Sequence, residues 1–110
     1  MKRSVACSSP LSDRDVTLDP DEVHRVVEAN YRTLRHCYEQ KLDTNPGLEG
    51  KIDVNLIVDE RGMPTQVCSG ASTLPSQQVV ECVIHVFSQF RFAQRDTAAA
   101  SVYPLNFSPY

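Results

Sequence analysis

From Val23 onward the chain places an apolar residue every three or four positions: Val23, Val26, Val27, Tyr31, Leu34, Cys37, Tyr38 and Leu42. At 100° per residue these eight fall within an arc of roughly 140°, the stripe of a helix that buries one side. Start signals precede the stripe. Asp19 suits an N-cap, Pro20 the first helical position, and Glu22 completes a capping-box pattern. Asn45-Pro46-Gly47 ends it, because proline disfavours helix before it and glycine terminates one readily. The spacing predicts one helix from about Pro20 to Leu42.

The period then changes to two. Ile52, Val54, Leu56 and Val58 alternate with Asp53, Asn55, Ile57 and Asp59, as in a half-buried strand. Asp59-Glu60-Arg61-Gly62 is a turn, and a second strand from about Met63 to Ser69 makes a hairpin. Pro64 belongs where its missing N–H is harmless. Helical spacing returns in QQVVECVIHVFSQF, with an apolar face of Val79, Val80, Val83, Val86, Phe87 and Phe90 and with Pro75 in a first turn that tolerates it. Residues 100–108 read as a last strand, with Tyr103, Leu105 and Phe107 alternating. Residues 1–18 hold four serines and no periodicity and read as tail or linker, leaving 19–110 as the domain. The order α-β-β-α-β implies an α+β fold, two helices on one face of a three-stranded antiparallel sheet.

Composition narrows the function classes. A chain of 110 residues, 41% hydrophobic and 23% charged, is the size of one globular domain. Its net charge of −3 comes without any basic cluster, which argues against a nucleic-acid partner. No apolar run approaches membrane-spanning length, so this domain is not expected to cross a bilayer. MKRSVACSSP lacks the apolar stretch of a signal peptide. The Ser-Val-Ala before Cys7 is only faintly similar to a lipoprotein cleavage box, and the segment is expected to be linker from a longer protein.

The stretch LRHCYEQ raises the question of catalysis. A cysteine nucleophile needs a base within about 3 Å. His36 and Cys37 are adjacent, hence 100° apart on a helix, and His36 points away from the apolar stripe. Cys82 and His85 have the spacing to meet, but no Gly-rich elbow or oxyanion element lies nearby. Cys82-x-x-His85, with His36 and Cys37, also has metal-ligand types, yet the paired knuckles of a structural zinc site are missing. The plain alternative is that His24, His36 and His85 face solvent. The reading is of a non-enzyme with no cofactor, metal or small-molecule substrate. A cysteine- or metal-dependent enzyme or sensor is the alternative, and an adaptor binding through its helices a third.

Four stretches carry a resemblance: VVEANYRTLRHCYEQKL, PGLEGKIDVNLIVDERGMP, STLPSQQVVECV and VYPLNF. Together they resemble the TonB-like C-terminal domain family, in the branch named after the AgmX/PglI C-terminal domain of myxobacterial gliding-motility proteins. The resemblance runs from about Asp21 to Pro109. Its most specific elements are Cys37-Tyr38-Glu39, the strand start at Gly50–Val54, and Tyr103-Pro104. Members often carry a proline shortly after the Arg91-Phe92 position, where this chain has Ala93-Gln94-Arg95. Cys68 is no part of the family pattern.

The resemblance implies a periplasmic, non-enzymatic domain at the end of a longer, inner-membrane-anchored protein. Such domains reach across the periplasm and grip an outer-membrane or periplasmic partner segment in extended form. The implied mode is addition of that segment to the last strand, residues Ser101, Val102, Tyr103, Pro104, Leu105, Asn106 and Phe107. Backbone groups alternate sides along a strand, and Pro104 lacks an N–H, so its side should face the open edge. Tyr103 and Leu105 would then bond inward, and Val102 and Asn106 would offer groups outward. The competing reading is that Pro104 guards the edge against pairing. An oxidising periplasm would also favour a Cys37–Cys82 disulfide, since both cysteines flank their helix stripes in the same rotational sense. Two free buried thiols are the alternative. A Cys7–Cys68 bridge, pinning the tail across the sheet, is a weaker expectation.

Overall fold

The computed structural model describes residues 16–108. Strand β1 (Val16–Thr17) leads into helices α1 (Pro20–Ala29) and α2 (Tyr31–Leu42). The hairpin β2 (Gly50–Val58) and β3 (Pro64–Ser72) follows, then α3 (Gln77–Ser88) and β4 (Ala99–Phe107). The sheet order is β1-β4-β2-β3. β2 is central and antiparallel to both long neighbours, and β1 adds a short parallel pair against Ala99 and Ala100. This is the α+β arrangement that the sequence predicts, with the short β1 added within the segment read as tail. Leu18, also in that segment, is fully buried.

The alternation along β2 sets the layers. Ile52, Val54, Leu56 and Val58 are fully buried, while Lys51, Asp53, Asn55 and Ile57 on the other face are half-buried. The buried set meets Val23 and Val27 of α1, Leu34, Cys37 and Tyr38 of α2, and Val79, Val83, Ile84 and Phe87 of α3 in one core. The Tyr38 hydroxyl donates to the Leu48 carbonyl, and its ring stacks on Phe107 of β4 at 4.9 Å between centroids.

The single long helix predicted from the spacing is two. Asn30 leaves helical geometry at φ −117° and ψ 13°, and its side-chain amide donates to the Val26 carbonyl at 2.8 Å. That side-chain bond competes with the main-chain ladder, the usual reason asparagine weakens helix interiors. Tyr31 therefore falls out of phase and is 39% exposed, although the stripe counted it as core.

The start of α1 also differs from the capping box. Asp19 caps by accepting from the Asp21 N–H at 3.0 Å, and Pro20 occupies the first turn. Glu22 does not reach back to the cap. It accepts from the Ala93 N–H at 2.9 Å and from Arg95 Nη2 at 2.8 Å on each oxygen. A long-range ion pair thus holds the segment entering β4. The cap of α3 is Ser76, whose hydroxyl accepts from the Val79 N–H at 3.3 Å, so Pro75 precedes the helix instead of lying in its first turn. Strand β3 continues to Ser72, beyond the predicted Ser69, past an irregular step in the ladder opposite Ile52 and Val54.

The turn chemistry is as its residues suggest. Asp59 Oδ1 accepts from the Arg61 and Met63 N–H groups, and Gly62 has φ +85°. A Cβ at Gly62 would lie 2.0 Å from the Phe92 carbonyl oxygen, so only glycine fits. The Gly62 carbonyl accepts from Phe92 N–H and that of Glu60 from Arg95 N–H, both at 2.9 Å, tying the hairpin tip to the same segment.

Candidate functional site

The outer edge of β4 is defined by its register. Pro104 stands opposite Asp53, Tyr103 opposite Val54 and Leu105 opposite Ile52. Antiparallel pairs alternate between hydrogen-bonded and non-bonded, and proline can occupy only the non-bonded kind without leaving an acceptor unmatched. Tyr103 and Leu105 therefore bond inward to β2. A second observation gives the same parity. Leu18 N–H donates to the Ala100 carbonyl at 2.7 Å, so Ala100 directs its backbone outward. Val102, Pro104 and Asn106 share that parity. Among the described residues, no strand pairs with the outer side of β4 beyond Ala100.

The seven residues of the predicted site divide by face. Val102 is 53% exposed, and Pro104 and Asn106 are exposed with it on the face away from the helices. Ser101 and Tyr103 are half-buried toward the helices, and Leu105 and Phe107 belong to the core. These last two anchor the strand from behind. The Tyr103 hydroxyl shares a hydrogen bond with His24 Nδ1 of α1 at 3.0 Å, and its ring lies 6.4 Å from that of Phe87. Burial raises the Tyr103 phenol above its ordinary value, and the charge of Glu28 adds to that. His24, read from the sequence only as facing solvent, thus supports β4 from 79 residues away. Nothing local in the sequence marks that contact.

Glu22 and Arg95 fix the base of β4. Their side chains are 17% and 18% exposed. Burial alone would raise the Glu22 carboxyl. The Arg95 hydrogen bond, the Ala93 N–H and the charges of Arg95 and Arg25 outweigh it and hold Glu22 below the ordinary glutamate value. Neither residue stood out in the sequence as a tertiary contact.

The cysteines resolve the question that LRHCYEQ posed. Cys37 and Cys82 are joined by a disulfide, with Cα atoms 5.7 Å apart, which links α2 to α3. His36 turns away and shares a hydrogen bond with the Gln40 amide at 2.9 Å. Cys68, on the sheet face away from the helices, is also disulfide-bonded and is 6% exposed. Cys7, the partner suggested for it, lies outside the described residues. Cys82 and His85 line a groove between α2 and α3 together with Cys37, Gln40, Lys41, Gln78 and Glu81. Among the described residues, no group of three or more His, Cys, Asp or Glu side chains is arranged to hold a metal ion.

A disulfide in the fold is compatible with an extracellular or periplasmic location. Among the described residues, no helix is long and apolar enough to cross a membrane. Comparison with protein-family models, with curated proteins and with solved structures finds no match to this chain.

Proposed function

We propose that this domain is a protein-binding module of a trans-envelope motility or energy-coupling complex in the bacterial periplasm. It grips an extended segment of an outer-membrane or periplasmic partner by adding that segment to β4. The parent protein is anchored in the inner membrane. The observation that carries this reading is the Leu18–Ala100 hydrogen bond, which assigns the outward parity of β4. Beyond that bond, Val102 and Asn106 offer N–H and C=O groups to a new strand, with one gap at Pro104. The resemblance to TonB-like C-terminal domains supports the mode, and the disulfide supports the compartment. A buried Leu105 and Phe107 behind the edge keep it rigid, which lowers the ordering cost of adding a strand.

The test is a titration of isotope-labelled protein with peptides tiled across candidate periplasmic partner segments, followed by NMR. Amide shifts concentrated at 101–107 support strand addition. Shifts confined to α2 and α3 would instead support an adaptor that binds through its helices.

A further inference from the structure

The groove between α2 and α3 has a volume of about 600 Å³ and opens over the Cys37–Cys82 bridge. The two cysteines differ in access. Cys37 is 3% exposed, whereas Cys82 is only partly buried. Gln78, Glu81 and His85, which line the groove, are the helical neighbours of Cys82 four and one residues before it and three after. The groove therefore runs past both ends of the bridge, and Cys82 is the less buried end. From the other helix, Lys41 lines the same groove one turn beyond Cys37.

We propose that the Cys37–Cys82 bridge is a thiol-exchange site, reduced through this groove by a dithiol donor. The proposal stands independently of the β4 reading. One thiolate of the donor attacks the Sγ of Cys82, the less buried of the two cysteines, and forms a mixed disulfide with it. The bond to Cys37 breaks, and Cys37 leaves as a thiolate that takes a proton from solvent. The Lys41 ammonium, one turn along α2, favours that departing negative charge. The donor's second thiolate then attacks the donor sulfur of the mixed disulfide, closing the donor's own disulfide and releasing Cys82, which is protonated. Two electrons and two protons pass from the donor to the bridge. Reduction removes the covalent tie between α2 and α3.

The test uses the intact, oxidised chain. Dithiothreitol is added in graded amounts, free thiols are quenched with iodoacetamide, and labelled peptides are mapped by mass spectrometry while circular dichroism follows folding. In parallel, a thioredoxin-type dithiol protein with its second cysteine replaced by serine traps the mixed disulfide. The expected result is labelling of Cys37 and Cys82 at least tenfold faster than Cys68 while the chain stays folded, with the trapped bond on Cys82. Labelling no faster than global unfolding, or a trapped bond on Cys37, overturns the proposal.

Discussion

Leu18 donates its backbone N–H to the Ala100 carbonyl at 2.7 Å, and this one bond marks which side of β4 is outward. It also ends the short parallel pairing of β1, after which the chain turns into α1 at Pro20. The edge from Ser101 to Phe107 is left beside it. Replacing Val102 or Asn106 with proline removes one outward N–H each. Because those groups make no bond to β2, each variant is expected to lose about 1 kcal/mol or less in stability. The same change at Tyr103 deletes an inward bond and is expected to cost about 3 kcal/mol. Urea denaturation of the three variants checks the contrast. Equal losses at Val102 and Tyr103 would refute the parity.

Glu22 is expected to contribute most at neutral pH. Its folded pKa is depressed, so the stabilisation is fully present above the ordinary value of 4.5 and is lost as pH falls through the folded pKa. Glu22→Gln should cost about 1–3 kcal/mol at pH 7, since it leaves Arg95 partly buried without its counter-charge. The gap between wild type and variant should shrink in acid. Denaturation midpoints at pH 7 and pH 3.5 measure this, and a gap independent of pH would show that the pair carries no charge-linked stability.

The Cys37–Cys82 bridge closes a loop with a sequence separation of 45. In the chain-entropy model this is worth about 4 kcal/mol, a large part of the roughly 5–15 kcal/mol that holds a domain together. The double variant Cys37→Ala with Cys82→Ala is expected to lose about 2–4 kcal/mol and keep the fold. Far-ultraviolet circular dichroism and urea unfolding report both halves of that statement.

Tyr38→Phe keeps the ring stack on Phe107 and deletes the hydroxyl bond to Leu48. The expected cost is about 1–3 kcal/mol, because the Leu48 carbonyl is left buried without its donor. Burial raises the Tyr38 phenol; the Arg35 charge opposes this and that of Glu49 adds to it. The sign follows from a raised folded pKa. Its contribution is fully present below the ordinary value of 10.0 and is lost as pH rises through the folded pKa. Stability of the wild type should therefore fall more steeply above pH 10 than that of the phenylalanine variant.

Gly62→Ala should be the most damaging small change in the hairpin. The added methyl would strike the Phe92 carbonyl at 2.0 Å in a backbone with φ +85°. A loss above about 2 kcal/mol is expected, with the segment before β4 displaced. Thermal melting and NMR shifts at 90–95 check it.

Much of this fold is legible in the sequence because it is periodic. The alternation through Ile52, Val54, Leu56 and Val58 maps directly onto a strand with one buried face, and the flanking of both helix stripes by cysteine fits the observed bridge. What the periodicity does not carry is non-local or depends on a single side chain. Asn30 breaks the first helix through a bond to Val26, which a count of apolar positions does not register. Glu22 looks like a cap residue because its local neighbours suit one, yet its partners are 71 and 73 residues away. The His24–Tyr103 contact is equally remote. Residues 16–18 lack any pattern, being too short for a period, although they pair with β4. At the edge itself, Pro104 was the readable signal, since a missing N–H reports strand parity without knowledge of the partner strand.

The most direct measurement of an open β4 edge is amide hydrogen exchange, residue by residue, with and without a saturating partner peptide. Strand addition predicts that exchange slows at least tenfold at Val102 and Asn106. Tyr103 and Leu105, already bonded to β2, should change little. Protection appearing on α2 and α3 with Val102 and Asn106 unaltered would contradict it.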